Sequence, residues 1–379
     1  MRQQLEIFPA VAVLGPRQVG KTTLDRGIAD SQDSVYLDLE NPHHLRRLSD
    51  PTRDLSIRAQ RLVVIDEVQR APELFAPLPG IIDEGRRRGL AAGRFLLTGS
   101  ASGALLNRSG ESLAGRTAYV ELNPFGVLEL PPTDADRLWL RGGFPPSFLQ
   151  VSDDWSFVWR EELIRTYLER DIPQMGPRIP AATLRRFWTM LAHSQGQVLN
   201  ASRLARALSV SGRTVIRYIG LLVDLLLVRR LPAHVANVGK RLTKSPRVYV
   251  RDSGLLHALL GLPDMDALLG HPVVGESWEG FVIENVLAVA PDNVQPSFYR
   301  TADGAEIDLV LEHSSGPIWV VEIKSGTPPK LRRGFHSARR DVNPTRAFAV
   351  HRGTERYPVE ASVEAIGLHD LCREVAAWR

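Results

Sequence analysis

The chain has one cysteine, Cys372, in 379 residues. An internal disulfide is therefore excluded, as is a zinc site built on cysteines, and a reducing compartment suits such a sequence. Long apolar runs are missing too. The longest, residues 218–228, is interrupted by Asp224 and is too short to cross a bilayer. No basic–apolar–small leader opens the chain, so a cytoplasmic protein without a membrane partner is expected. Internal repeats and low-complexity tracts are absent, and the ten histidines show no metal-ligand spacing. Neither sign of charge dominates. A net charge of +4 is compatible with nucleic acid but does not argue for it. The length, by contrast, calls for more than one domain.

What is present starts at Gly15. Gly15-Pro16-Arg17-Gln18-Val19-Gly20-Lys21-Thr22-Thr23 fits the phosphate-binding loop G-x-x-x-x-G-K-[ST]. An apolar strand, residues 11–14, precedes it, and a helix over 23–29 is expected to follow. The two glycines let backbone N–H groups turn toward a pyrophosphate. Lys21 reaches the outer phosphates, the Thr22 hydroxyl holds Mg²⁺, and the helix N-terminus favours the same anions. A second strand is expected at 35–40. A third, at 61–65, ends in Asp66-Glu67. Asp66 is expected to hold Mg²⁺ and Glu67 to act as the base on the attacking water. A fourth, from residue 94, ends in Thr98 and Ser100, read either as sensors of the γ-phosphate or as ordinary strand-end hydroxyls. Arg116 follows, as a candidate for transition-state charge in the same or a neighbouring subunit. The Lys-x-Asp specificity element of GTPases is lacking, so ATP with Mg²⁺ is the expected cofactor pair.

These stretches, with Val64-Ile-Asp-Glu-Val-Gln69, Leu97-Thr-Gly-Ser100, Ser112-Leu-Ala-Gly-Arg116, Gly142-Gly-Phe-Pro145 and Tyr167-Leu-Glu-Arg-Asp-Ile172, resemble the AAA+-type ATPases of bacteria and archaea that carry a family-specific C-terminal region. The resemblance implies ATP binding and hydrolysis. The fold class expected is α/β. A P-loop parallel sheet (1–135) precedes a helical lid (136–195), a winged-helix region (196–270) and a nuclease-like α/β domain (271–379).

Residues 199–231 have a helix-turn-helix pattern, with a long second helix over 213–228 and Val215, Ile216, Ile219, Leu222 and Leu226 expected inside. Residues 228–251 follow with seven Lys/Arg and no acid: Arg229, Arg230, Lys240, Arg241, Lys244, Arg247 and Arg251. Helix-turn-helix plus a basic hairpin outlines a winged helix. Arg213 and Arg217, with Lys240, Arg241 and Lys244, are then candidate nucleic-acid contacts. No aromatic or Asn/Gln base-reading set accompanies them, and a fold used for packing or for a protein partner fits equally.

In the last hundred residues, a helix bearing Glu279 precedes a hairpin with Asp308 and a strand with Glu322 and Lys324. Residues two apart on a strand share a face. Two or three carboxylates and a lysine can hold Mg²⁺ and steady a hydroxide. The set resembles the PD-(D/E)xK nuclease core, with Ile307 where the motif often has proline. The alternative is a non-cleaving, ATP-dependent switch that binds DNA or a protein partner.

Overall fold

The computed structural model describes residues 1–58, 60–100, 113–174, 179–235, 242–326, 329–360 and 362–378. Lys240 and Arg241 lie outside the described residues, as do Glu111, Ser112 and the side chain of Ser100. The chain divides into two units: Met1–Asn123 with Asp224–Leu226, and Pro124–Val223 with Leu227–Arg379.

The first unit is built on a five-stranded sheet. Its strands are β1 (Ala10–Gly15), β2 (Ser34–Asp38), β3 (Leu62–Asp66), β4 (Phe95–Ser100) and β5 (Thr117–Glu121), in the order β2-β3-β4-β1-β5. Every pairing is parallel. Strands buried on both faces have no polar side to show, which is why β1 and β3 read as unbroken apolar runs. Ala10, Ala12 and Leu14 turn to one face, where Leu78, Ile81 and Ile82 of helix α2 (Leu78–Arg87) cover them. Val11 and Val13 turn to the other, against Ile28 of helix α1 (Lys21–Ala29). Each buried Val, Leu or Ile among them contributes roughly 1.5–3 kcal/mol. In this order β3 and β1 flank β4, so Asp66, Thr98 and Gly15 come to the same end of the sheet. A parallel α/β sheet binds its ligands at that end.

The second unit opens with helices. Helix α3 (Asp153–Thr166) runs into a π-helical turn, Tyr167–Asp171. Helices α4 (Ala181–Ala192), α5 (Ala201–Leu208) and α6 (Gly212–Asp224) follow. Asn200 caps α5 through its side chain, and Ser209, at φ 55, turns the chain toward α6. Strand β6 (Val228–Leu231) pairs antiparallel with β7 (Arg247–Val250), and Val198 bridges to Arg247. The inward face of α6 is Val215, Tyr218, Ile219 and Leu222, not the expected Ile216, which is 42% exposed. The stripe through Val215, Tyr218, Ile219 and Leu222 spans about 100° of the helix, and Ile216 falls about 60° beyond its edge. Leu226, also expected inside, lies past the end of α6 at φ 58.

The remainder is a six-stranded mixed sheet, ordered β12-β13-β11-β10-β9-β8. Strands β8 (Val294–Arg300), β9 (Glu306–His313) and β10 (Ile318–Ile323) form an antiparallel meander. Helix α8 (Val274–Val289), which follows α7 (Ser253–Leu259), packs Phe281, Val282 and Val286 on one face of the sheet. Helix α9 (Arg333–Val342) packs Phe335, Ala338 and Val342 on the other. It crosses over to β11 (Arg346–His351), which lies parallel to β10. Strands β12 (Tyr357–Glu360) and β13 (Val363–Gly367) complete the sheet.

Candidate functional site

In the first unit the loop after β1 is shaped by its backbone. Gly20 sits at φ 101 and Gln18 at φ 62. At Gly15 a Cβ would lie 2.7 Å from the Leu122 carbonyl oxygen, so no side chain fits there. Lys21 is the first residue of α1 and is buried. Its ammonium donates to the carbonyls of Gly15 (3.0 Å) and Pro16 (2.8 Å), spanning the loop it belongs to. Burial brings its pKa down to about 8. The first N–H groups of α1 have no partner within the helix, as at any helix start.

Asp66 ends β3 as the hub of the site. Its Oδ2 accepts from the Thr22 hydroxyl at 2.8 Å and the Tyr36 hydroxyl at 2.7 Å. Its Oδ1 accepts from the Glu67 N–H at 3.0 Å and lies 2.9 Å from the Thr98 hydroxyl. Thr98 Oγ1 is also 2.6 Å from Asp25 Oδ2. One hydroxyl hydrogen cannot serve two carboxylates, so a carboxyl proton must complete the chain. Asp25, whose pKa burial pushes up to about 7, is the group suited to carry it. Asp25 and Tyr36 escaped the sequence reading. A signal existed for Asp25, which stands four residues after Lys21 on one helix face; Tyr36 had none, because only the pairing of Asp38 with Asp66 brings its strand beside the site.

Glu67 follows in the left-handed region, at φ 57 and ψ 45. For a non-glycine residue that costs on the order of 1–3 kcal/mol and is typical of functional positions. Gln69 donates to its carboxylate, and burial raises its pKa. Arg116 immediately precedes β5. Its guanidinium forms a two-pronged pair with Asp83 on α2, at 2.9 and 2.7 Å. Thr98 is fully buried between two acids, which fits a residue that orients Asp66 better than one that touches a phosphate.

The residues fit a nucleotide with Mg²⁺. A glycine cradle that a Cβ would fill, a lysine across the loop, and a hydroxyl beside a carboxylate form the donor set such a ligand needs.

In the second unit, Glu279 (α8), Asp308 (β9) and Glu322 with Lys324 (β10 and just past it) line one cavity of about 720 Å³. Lys324 Nζ is 2.7 Å from Glu322 Oε1 and 3.7 Å from Asp308 Oδ2. Asp308 Oδ2 also accepts from the Ile323 N–H at 2.9 Å. Burial drives the pKa of Glu279 up to about 7 and that of Glu322 up to about 8, with the neighbouring Asp308 charge adding to both. The sequence reading missed the residue at the middle of this group. Arg247, counted there among the hairpin's basic residues, is buried against Glu279, Glu306 and Asp308. Arg229 and Arg251 likewise turn inward, to Glu284. Arg213, Arg217 and Lys244 are exposed. Among the described residues, no group of three His, Cys, Asp or Glu is placed to hold a metal ion.

Comparison with known proteins accords with this division. Residues 8–130 match the model described as AAA domain. Residues 132–266 and 274–371 match two domains of unknown function, DUF8612 and DUF4143. The uncharacterized protein Rv2008c of Mycobacterium tuberculosis is 46% identical over 97% of this chain and 81% of its own length. The uncharacterized protein Mb2031c of Mycobacterium bovis matches to the same extent. The chain belongs to the Rv2008c family. Its first unit is an ATP-binding domain of the AAA type. Among solved structures, a Walker-type ATPase of Pyrococcus abyssi covers 68% of this chain and 93% of its own, at 16% identity and a TM-score of 0.49. Among the described residues of this Rv2008c family member, no helix is long and apolar enough to cross a membrane.

Proposed function

We propose that the protein is an Mg²⁺-dependent ATPase whose nucleotide state governs the engagement of nucleic acid by the second unit. The observation that carries the first half is the Thr22–Asp66 contact at 2.8 Å beside Glu67. The loop 15–23 would hold the phosphates, with Lys21 on the outer ones. Thr22 and Asp66 would hold Mg²⁺, which neutralises charge on the phosphates. Glu67 takes the proton of the attacking water. Tyr36 and Thr98, with Asp25 behind it, fix the Asp66 carboxylate. In wild type, ATP is expected to raise the melting temperature. Lys21→Ala abolishes that shift, read by thermal melts with and without ATP and Mg²⁺. An unchanged shift would remove the loop from nucleotide binding.

The second half is supported by topology. Helix α4, the bridge at Val198, helices α5 and α6 and the pair β6–β7 follow the order of a winged helix. On α6, Arg213 and Arg217 are one turn apart and exposed. Double-stranded DNA is the proposed partner, held through phosphates. Replacing both arginines by Ala is expected to weaken binding and to lower the slope of log K against log salt by about 1–2. Fluorescence anisotropy at several salt concentrations measures it, and an unchanged slope would exclude the two arginines from the contact.

A second reading concerns the large cavity. Helix α8, the meander β8–β9–β10, helix α9 and the parallel strand β11 follow the PD-(D/E)xK layout, and Glu279, Asp308, Glu322 and Lys324 converge on one cavity. We read it as a phosphodiester site descended from that fold.

A further inference from the structure

We infer that Arg247 occupies the cation position of the carboxylate cluster and so holds the cavity of the second unit shut against divalent metal. The inference rests on the reading of that cavity as a phosphodiester site, and it adds a lock to it.

The contacts define the lock. Arg247 Nη1 lies 2.9 Å from Glu279 Oε1 and 3.6 Å from Asp308 Oδ1. Its Nη2 pairs with Glu306. Its guanidinium carbon stands 4.9 Å from the ring centre of Phe298, which backs it. These are the oxygens from the helix and the middle strand that a metal would need. The strand oxygen left over is orphaned. Glu322 Oε2 is buried with no hydrogen-bond partner, while Oε1 is held by Lys324. A buried carboxylate oxygen without a partner is costly, and an ion in the cavity would satisfy it. The residues therefore have the chemistry of a hard-cation site but not the arrangement. With Glu279 and Asp308 turned to the guanidinium, no group of three His, Cys, Asp or Glu among the described residues is placed to hold a metal ion.

Arg247 is not a chance surface residue that has fallen inward. Its side chain is 5% exposed. Its strand is anchored, since the Val248 N–H donates to the Gln197 carbonyl at 3.2 Å and the Val250 N–H to Gln195 Oε1 at 2.8 Å. Tyr249, two residues on, donates its hydroxyl to the same Glu279 oxygen at 2.6 Å. The winged-helix segment thus reaches into the C-terminal cavity through one strand, and its arginine and the metal compete for one position. With the locked state holding about 90–99% of molecules, apparent metal affinity falls about 10–100-fold.

The test is Mn²⁺ titration of the full chain by calorimetry, without nucleotide. It uses wild type, Arg247→Gln, Arg247→Lys and each with Asp308→Asn, so that only binding that depends on Asp308 is counted. Arg247→Gln is expected to gain such a site about 10–100-fold tighter than wild type. Arg247→Lys keeps a cation in place and stays near wild type. Nicking of supercoiled plasmid with Mn²⁺ is expected to appear in Arg247→Gln and to vanish with Glu322→Ala or Lys324→Ala. Equal Asp308-dependent binding in wild type and Arg247→Gln would overturn the lock while leaving the metal reading intact. Absence of any such binding in a folded Arg247→Gln would overturn the phosphodiester reading and the lock with it. Should Arg247→Gln not fold, Glu306→Gln loosens the arginine without touching a metal oxygen. It is expected to show intermediate affinity, and wild-type affinity there would overturn the lock.

Discussion

Replacing Glu67 by Gln is expected to leave ATP bound and to cut turnover by roughly 10²–10⁴-fold, the usual worth of a general base. The geometry explains the separation. The loop that holds the phosphates, from Gly15 to Thr23, does not include Glu67, and Lys21 spans its own loop. Binding therefore survives. The carboxylate of Glu67 is partly buried, and burial raises its pKa, which makes it a better proton acceptor near neutrality than an exposed glutamate. The amide keeps the size and can still accept from Gln69, but it cannot take a proton. Gln is no harder to hold in the left-handed backbone at this position than Glu, so the fold is expected to be disturbed little. Phosphate release measures the loss, and the ATP-induced melting shift on the same variant shows that binding is kept. Normal turnover would take Glu67 out of the role. A lost melting shift would mean that the variant damages the loop rather than the chemistry.

The parallel sheet of the first unit was legible because each strand is buried on both faces and so reads as an apolar run with a chemical residue at its end. The loop, Asp66 and Glu67 could be named from spacing alone. Their supports could not. Asp25 and Tyr36 matter through contacts across α1 and β2, and only the spacing of Asp25 from Lys21 pointed to either. Arg116 is a similar case: its pair with Asp83 on α2 is a contact across the fold that its place in the sequence does not record. Residues 228–251 are the plainest case. A run of arginines without acids reports charge, not direction. Arg229, Arg247 and Arg251 turn inward because Glu279 and Glu284 of α8 wait there, some thirty or more residues away in sequence. Their pairing removes three of the seven cations from the surface a nucleic acid would meet. Exposed Arg213, Arg217 and Lys244 are what remains of the candidate set among the described residues.

The buried acids that Arg247 and Lys324 hold predict a pH dependence with a definite sign. The carboxyl of Glu322 is pushed up to about 8, and that of Glu279 to about 7, from 4.5. Between those values the folded chain holds protons that the unfolded chain has lost. Unfolding then releases protons, so stability falls as pH rises through the window. The protonated state stabilises the fold fully below about pH 4.5, and the loss is complete above about pH 8. For Glu322→Gln the titrating group is gone. Its stability curve is expected to fall less between pH 5 and 8 than that of wild type. His257 pulls the other way. Burial takes its pKa down to about 3, so it contributes stability above its unfolded value and loses it as pH falls. It is common to both proteins and cancels in their difference. Tryptophan fluorescence isolates the right unit, because all seven tryptophans fall in residues 124–379 and none in 1–123. Parallel curves for the two proteins would show that Glu322 is ionised in the folded chain. Its orphaned oxygen would then be answered by something other than a proton.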